Sequence, residues 1–183
     1  MRKWNAQLCM SILVLFLIHG IAGGFQLTGI LPGGNRFLSI AAYTMTVMAL
    51  VHAVLGIILT VQTLKAQKQA GVSYFRENTL FWLRRISGFA VMFLLLSHVL
   101  IFEGTKRGGV FRLHFFGRLQ LLSQILMVLA VAVHVLTNIK PLMTALGIRK
   151  YRRFLLDLLL ILSVLLLFAG VAFVIYYLRW QAF

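Results

Sequence analysis

Histidine is the residue type in this sequence best suited to chemistry, and four of the five histidines lie in strongly apolar stretches. These four are His19, His52, His98 and His134. Ionisable side chains are rare inside membrane segments and usually have a function there. An imidazole nitrogen can bind haem iron, or it can hydrogen-bond a polar group of a neighbouring helix. The single cysteine, Cys9, excludes an intrachain disulfide and any metal cluster held by cysteines of this chain alone.

Five apolar stretches position these histidines, and each is long enough to cross a membrane as a helix. The chain has 183 residues, of which 61% are hydrophobic, a larger fraction than soluble domains contain. A bilayer core requires about 20 apolar residues in a helix. We predict helices at roughly residues 6–24, 37–62, 81–102, 119–139 and 154–178. The predicted fold is an all-α transmembrane bundle that forms one domain over residues 1–183.

Loop-forming residues set the predicted ends of these helices. The polar segment 65–71 is predicted to follow the second helix, and Pro141 is predicted to end the fourth. The small residues at 20–24 could belong to a signal-peptide cleavage region, since Arg2 and Lys3 precede the first apolar stretch. The depth of His19 favours a first transmembrane helix instead.

The basic residues predict the orientation of the chain in the membrane. The 18 Lys and Arg residues against 3 Asp and Glu would suggest nucleic-acid binding in a soluble protein, but here they lie between apolar stretches. Twelve of them fall on the side of the amino terminus and six on the opposite side. The positive-inside rule therefore predicts a cytoplasmic amino terminus and an external carboxyl terminus.

Positions along the predicted helices sort the four histidines into two levels. His19 and His98 each lie five residues before the outer end of a helix, whereas His52 and His134 each lie sixteen residues after an outer helix start. At about 1.5 Å per residue, the levels are roughly 8 Å and 24 Å below the outer face. Two stacked b-type haems, each held by two imidazoles, require this arrangement. We predict that His19 and His98 bind an outer haem and that His52 and His134 bind an inner one.

Short motifs around these histidines resemble the cytochrome b subunit of succinate:quinone oxidoreductase and fumarate reductase. The segment His52-Ala53-Val54-Leu55-Gly56 is similar to a His-Ala-x-x-Gly element of the family. The segment Arg85-Ile86-Ser87-Gly88 is similar to the Arg-x-[Ser/Thr]-Gly element that opens the third helix, and His98 follows near the far end of that helix. The resemblance covers residues 45–140, including Asn138 after His134, and extends to the first and last helices by order and length.

This resemblance implies a membrane anchor that carries two haem b groups and performs no succinate or fumarate chemistry itself. Flavoprotein and iron–sulfur subunits would dock on its cytoplasmic side in a bacterial cytoplasmic membrane, and it would exchange electrons with menaquinone or ubiquinone. Arg84 and Arg85, or Lys140, would contact the propionates of the inner haem. The alternative role for these cations is topology and contact with lipid phosphate.

One acidic residue and two other function classes complete the predictions. Some relatives have a glutamate at the outer start of the second helix, and this sequence has none there. Glu103 is predicted to exchange protons beside quinone, unless it is an interfacial acid paired with Lys106 or Arg107. The same anchor could serve a different flavin-dependent oxidoreductase. A haem-free membrane scaffold or transporter subunit is the other alternative, although a transporter would be expected to have helices broken by Gly or Pro.

Overall fold

Five helices, each long and apolar enough to cross a membrane, make up most of the computed structural model. It describes residues 2–71, 79–107, 110–112, 114–148 and 152–181, with the backbone alone for 2, 105–107, 110–112 and 152. The helices are α1 (Arg2–Thr28), α2 (Arg36–Gln69), α3 (Thr79–Phe102), α4 (Arg118–Ala145) and α5 (Arg152–Gln181). The predicted five-helix bundle is thus confirmed. A short antiparallel hairpin, which was not predicted, joins β1 (Thr105–Arg107) to β2 (Val110–Arg112) between α3 and α4.

Helix α2 extends further than the apolar pattern predicted. Its amino terminus is capped by the side chain of Asn35, which accepts hydrogen bonds from the backbone N–H groups of Phe37 and Leu38. The prediction that a loop begins at residue 65 is wrong, because α2 runs to Gln69. Lys, Ala and Gln all favour helix, so the polar residues continue it beyond the apolar stretch. The helix ends just before Gly71, whose φ of 67° suits glycine.

Helix α4 also passes the residue that was predicted to end it. Pro141 lies inside α4, which continues to Ala145. A proline inside a helix cannot donate the backbone hydrogen bond to the carbonyl four residues earlier, which here belongs to Thr137. The helix therefore lacks one of its own hydrogen bonds at this turn.

Helices α1 and α5 approach closely because α1 carries glycine where α5 carries bulky side chains. A Cβ atom at Gly24 would overlap the ring of Phe168, and one at Gly20 would lie 3.2 Å from Leu165. Small residues four apart on one face allow membrane helices to pack tightly. The 20–24 segment, which could have belonged to a signal-peptide cleavage region, lies inside α1 and forms this contact.

The buried apolar cluster lies between α1, α4 and α5 and leaves α2 to one side. It contains Leu13, Ile139, Met143, Leu158 and Leu162. By contrast, α2 has no buried residue, packs mainly against α1 and makes few contacts with α3. A wide space therefore separates α2 from α3 and α4, and the four intramembrane histidines line it.

Candidate functional site

One cavity of about 2090 Å³ runs along the bundle and is lined by all four intramembrane histidines. This volume is about twice the upper end of the range for ordinary small-molecule pockets, which extends to about 1,000 Å³. We call one end of the cavity the basic end and the other the aromatic end. The basic end is lined by Lys3, Arg84, Arg85 and Lys140, and the aromatic end by Phe102, Phe173, Tyr176 and Trp180.

The histidines lie in two pairs within this cavity. The ring centroids of His19 on α1 and His98 on α3 are 5.9 Å apart, with an angle of 80° between the ring planes. Those of His52 on α2 and His134 on α4 are 6.2 Å apart, with an angle of 72°. The structure thus brings together the same pairs of histidines that were predicted from their positions along the helices. Their role as iron ligands stays a prediction.

Contacts between α3 and α4 give the separation of the two pairs along the bundle. Nδ1 of His134 lies 3.3 Å from Oγ of Ser87, which precedes His98 on α3 by eleven residues. Nδ1 of His98 lies 2.7 Å from Oε1 of Gln124, which precedes His134 on α4 by ten residues. At about 1.5 Å per residue, both helices separate the pairs by roughly 15 Å.

Three of the four rings have a side-chain hydrogen-bond partner at Nδ1. His98 donates to the amide oxygen of Gln124, and His52 donates at 2.9 Å to the amide oxygen of Asn5. Nδ1 of His134 lies 3.3 Å from the Ser87 hydroxyl, which is also 3.2 Å from the carbonyl of Arg84. When the hydroxyl donates to that carbonyl, it accepts from Nδ1 of His134. A ring that is protonated on Nδ1 has a lone pair on Nε2, and this tautomer can bind a metal through Nε2.

The acceptor for His98 is itself held by a polar network. The Gln124 side chain is fully buried, and its amide nitrogen donates to the Ser123 hydroxyl at 3.0 Å. The Ser123 hydroxyl also accepts from Ser97, at 3.2 Å, and donates to the carbonyl of Gln120, at 2.8 Å. Buried polar groups are stable only when they are hydrogen-bonded, so this network fixes the orientation of the Gln124 amide.

The histidines of the two pairs differ in how they are held. Sγ of Cys9 lies 3.3 Å from the His52 Nδ1 that also bonds Asn5, so two side chains of α1 meet this nitrogen. Within the described part of the chain, the His19 ring has no hydrogen-bond partner, and it contacts the His98 ring. Sequence reasoning missed Asn5, Cys9, Ser87 and Gln124 as partners of the histidines. Only Gln124, an amide in the middle of an apolar stretch, gave a signal.

His134 packs directly against the segment of α3 that carries the family-like motif. A Cβ atom at Gly88 would lie 3.2 Å from Cε1 of His134, so glycine provides the space for this ring. Next to it, the Arg84 Nε donates to the carbonyl of Thr137 at 2.9 Å. The guanidinium of Arg85 lies 5.0 Å from the centroid of the Phe81 ring, a cation–π distance. Both arginines line the basic end of the cavity, where propionate contacts were predicted.

The remaining predicted residues lie at or near the aromatic end. Glu103 follows the end of α3, is exposed and lines the cavity. The side chains of Lys106 and Arg107, its alternative ion-pair partners, lie outside the described part of the structure. The fifth histidine of the chain, His114, lies outside the predicted helices; it is exposed between β2 and α4 and does not line the cavity.

The geometry of each pair fits two imidazoles on one iron. Bonds from a metal to imidazole nitrogen are about 2.0–2.1 Å long, and each ring centroid lies about 1.1 Å beyond the nitrogen. Two rings whose bonding nitrogens face each other across one metal would therefore have centroids about 6.3 Å apart. The observed distances are 5.9 Å and 6.2 Å. Among the described residues, no three side chains of His, Cys, Asp or Glu converge on one point, so each site offers two ligands. Two axial imidazoles are the donor set of a b-type haem.

Comparisons of the chain with protein-family models, curated proteins and solved structures found no match. The function is therefore inferred from the residues and geometry of this chain.

Proposed function

We propose that this chain is a di-haem cytochrome b that anchors an oxidoreductase to the membrane and transfers electrons between its redox subunits and quinone. The observation that carries the proposal is the distance between the two rings within each pair, which is 5.9 Å between centroids in one pair and 6.2 Å in the other. His19 and His98 would hold one haem, and His52 and His134 the other. Bound haem would supply one-electron redox chemistry.

The protein residues would fix the ligands and supply the charge that the haems need. The amide oxygens of Asn5 and Gln124, together with the Ser87 hydroxyl, hold three imidazoles with Nε2 free. Such hydrogen bonds also make an imidazole a stronger ligand. The cations at the basic end, Arg85 and Lys140 among them, are the side chains suited to neutralise haem propionates.

The proposed partners follow from charge and from the resemblance to the complex II anchors. Exposed cations, including Lys65, Lys68 and Lys140, lie on the basic end of the bundle. The positive-inside rule places this end in the cytoplasm, where flavoprotein and iron–sulfur subunits of a succinate dehydrogenase or fumarate reductase would dock. Complementary charge would steer that docking. A different flavin-dependent oxidoreductase would use the same anchor, because the substrate site lies on another chain.

Quinone would react at the aromatic end, beside the His19–His98 pair. Glu103 lines the cavity there and is exposed, so it could pass protons between quinone and the aqueous phase. In the assembled complex, Glu103→Gln is expected to lower quinone-linked turnover while haem content is unchanged. Turnover equal to that of the wild type would remove Glu103 from the proposal.

Haem stoichiometry tests the central claim. The purified protein is expected to show a b-type reduced-minus-oxidised spectrum with about two haems per chain. His134→Ala and His52→Ala should each retain about one haem, and both should lose the same spectral component. His114→Ala is the matched control, because His114 is exposed outside the cavity, and it should retain both haems. A wild-type protein without haem after mild purification would disprove the function.

A further inference from the structure

The proline inside α4 leaves one backbone carbonyl without its usual partner. Pro141 has no N–H group, so it cannot donate to the carbonyl of Thr137 four residues earlier. Arg84 Nε, from α3, donates to this same carbonyl at 2.9 Å. The guanidinium therefore replaces the hydrogen bond that the proline removes.

We infer that Arg84 is a positioning residue for His134, acting through the carbonyl that Pro141 leaves free. Thr137 lies three residues after His134 on α4, and Ser87 lies three residues after Arg84 on α3. One turn of α3 thus meets one turn of α4 at two points, Arg84 on Thr137 and Ser87 on His134. Two bonds one turn apart fix both the distance between the helices and the rotation of α4 about its axis.

This rotation decides whether the His134 ring faces His52. The space at Gly88 allows the ring to lie against α3, and a Cβ atom there would lie 3.4 Å from its Nδ1. Within the same turn of α4, the Asn138 amide donates to the carbonyl of His134 at 2.7 Å. Without the Arg84 bond, the proline turn of α4 would retain a partly buried, unpaired carbonyl, and only the Ser87–His134 contact would remain of the two bonds that orient this turn against α3.

A purely electrostatic role for Arg84 makes a different prediction. If Arg84 served only as a topological cation or a propionate contact, its loss would have the same effect whatever residue occupies position 141. If it compensates for the proline, its loss should matter much less in Pro141→Ala, because alanine supplies the missing N–H group to Thr137. A double-mutant cycle between the two positions separates these roles.

The experiment compares Arg84→Met, Pro141→Ala and the double variant with the full-length wild type. It rests on the proposed function and measures haem retention during dilution, the low-spin EPR signal of each haem and the thermal midpoint of unfolding. Arg84→Met should weaken retention of the His52–His134 haem roughly tenfold, as expected for one unsatisfied, partly buried carbonyl. The double variant should retain haem within about twofold of Pro141→Ala alone. Arg153→Met, which removes an exposed cation from α5, is the charge control and should behave as the wild type.

Two further outcomes keep the inference distinct from the proposed function. Equal losses of haem retention from Arg84→Met in the wild-type and Pro141→Ala backgrounds would overturn the inference about Arg84. The proposal that the chain binds two haems would be unaffected. If the wild type holds no haem, the proposed function fails, and the thermal midpoints of the four proteins still decide whether Arg84 and Pro141 are coupled. Should Arg84→Met fail to fold, Arg84→Lys keeps the charge and a donor but places the donor at Nζ instead of Nε. Its loss of retention should be smaller than that expected for Met, and it should also disappear in Pro141→Ala.

Discussion

The two histidine pairs have nearly the same separation between rings but different surroundings. Both rings of the His52–His134 pair are hydrogen-bonded, and the cavity beside them leads to the basic end. In the His19–His98 pair, only His98 has a hydrogen-bonded acceptor within the described residues, and its ring packs on aromatic side chains. The four histidines therefore form two pairs of similar geometry in two different electrostatic environments.

In the proposed di-haem protein, this difference would affect the energy of electron transfer between the two sites. A stronger hydrogen bond from Nδ1 makes an imidazole more basic and favours oxidised iron, whereas nearby cations favour the reduced form. Gln124, fully buried and 2.7 Å from His98, is the strongest such acceptor. The cations lie nearer the other pair, at the basic end. The hydrogen bonds alone do not rank the two sites, because one short bond acts at His98 whereas two longer ones act at His52 and His134. The cations favour reduced iron at the nearer site, so the His52–His134 haem is expected to have the higher potential.

The largest effect is expected from a substitution that blocks one of the two sites sterically. Gly88→Val should displace the His134 ring, because even a Cβ atom at Gly88 would lie 3.2 Å from it. We expect loss of the His52–His134 haem alone, measured as a fall from about two haems to about one per chain. Gly170→Val is the control, since a Cβ atom at Gly170 meets nothing within 4 Å. Retention of both haems in Gly88→Val would show that the ring contact with α3 does not position His134.

The sequence predicted the number of helices and the relative levels of the two histidine pairs along the bundle, because both depend on local properties. The length of an apolar stretch can be compared with the thickness of a bilayer, and the number of residues between two positions of a helix gives their distance along its axis. The end of an apolar stretch does not, however, predict the residue at which a helix ends. Thus α2 continues through Lys65 to Gln69 on helix propensity, and α4 continues through Pro141 with a bond donated by α3.

The partners of the histidines depend on how the helices rotate and pack, which the pattern along one helix does not specify. Asn5 and Cys9 meet His52 across more than forty residues of chain, and nothing in the spacing of α1 indicates that contact. Gln124 could be recognised as unusual in an apolar stretch, but its pairing with His98 required the packing of α4 on α3. The glycines of α1 likewise acquire a role only when Phe168 of α5 is brought against Gly24.

A smaller effect is expected from removing the acceptor at the other pair. Gln124→Leu keeps the approximate volume of the side chain but takes the acceptor from His98. The potential of the His19–His98 haem should rise by about 60 mV, which corresponds to a tenfold change in the relative binding of the two iron states. The other potential should stay constant in the same redox titration. A change of equal size in both would mean that Gln124 acts through the fold rather than through His98.

The smallest effect is expected at His52, where two side chains meet the same nitrogen. Asn5→Ala removes an acceptor that is 2.9 Å from Nδ1, but Sγ of Cys9 remains 3.3 Å away on the same helix. Sulfur is a weaker acceptor than an amide oxygen, so the hydrogen bond should weaken without being lost. The potential of the His52–His134 haem should therefore rise by less than Gln124→Leu raises the other. Adding Cys9→Ala to Asn5→Ala should remove the remaining acceptor and enlarge the shift in potential. Cys9→Ala alone should change the potential little, because Asn5 still accepts from Nδ1. If the double variant shifts the potential no further than Asn5→Ala, the thiol is only a packing neighbour of His52, and the two pairs differ by one acceptor rather than two.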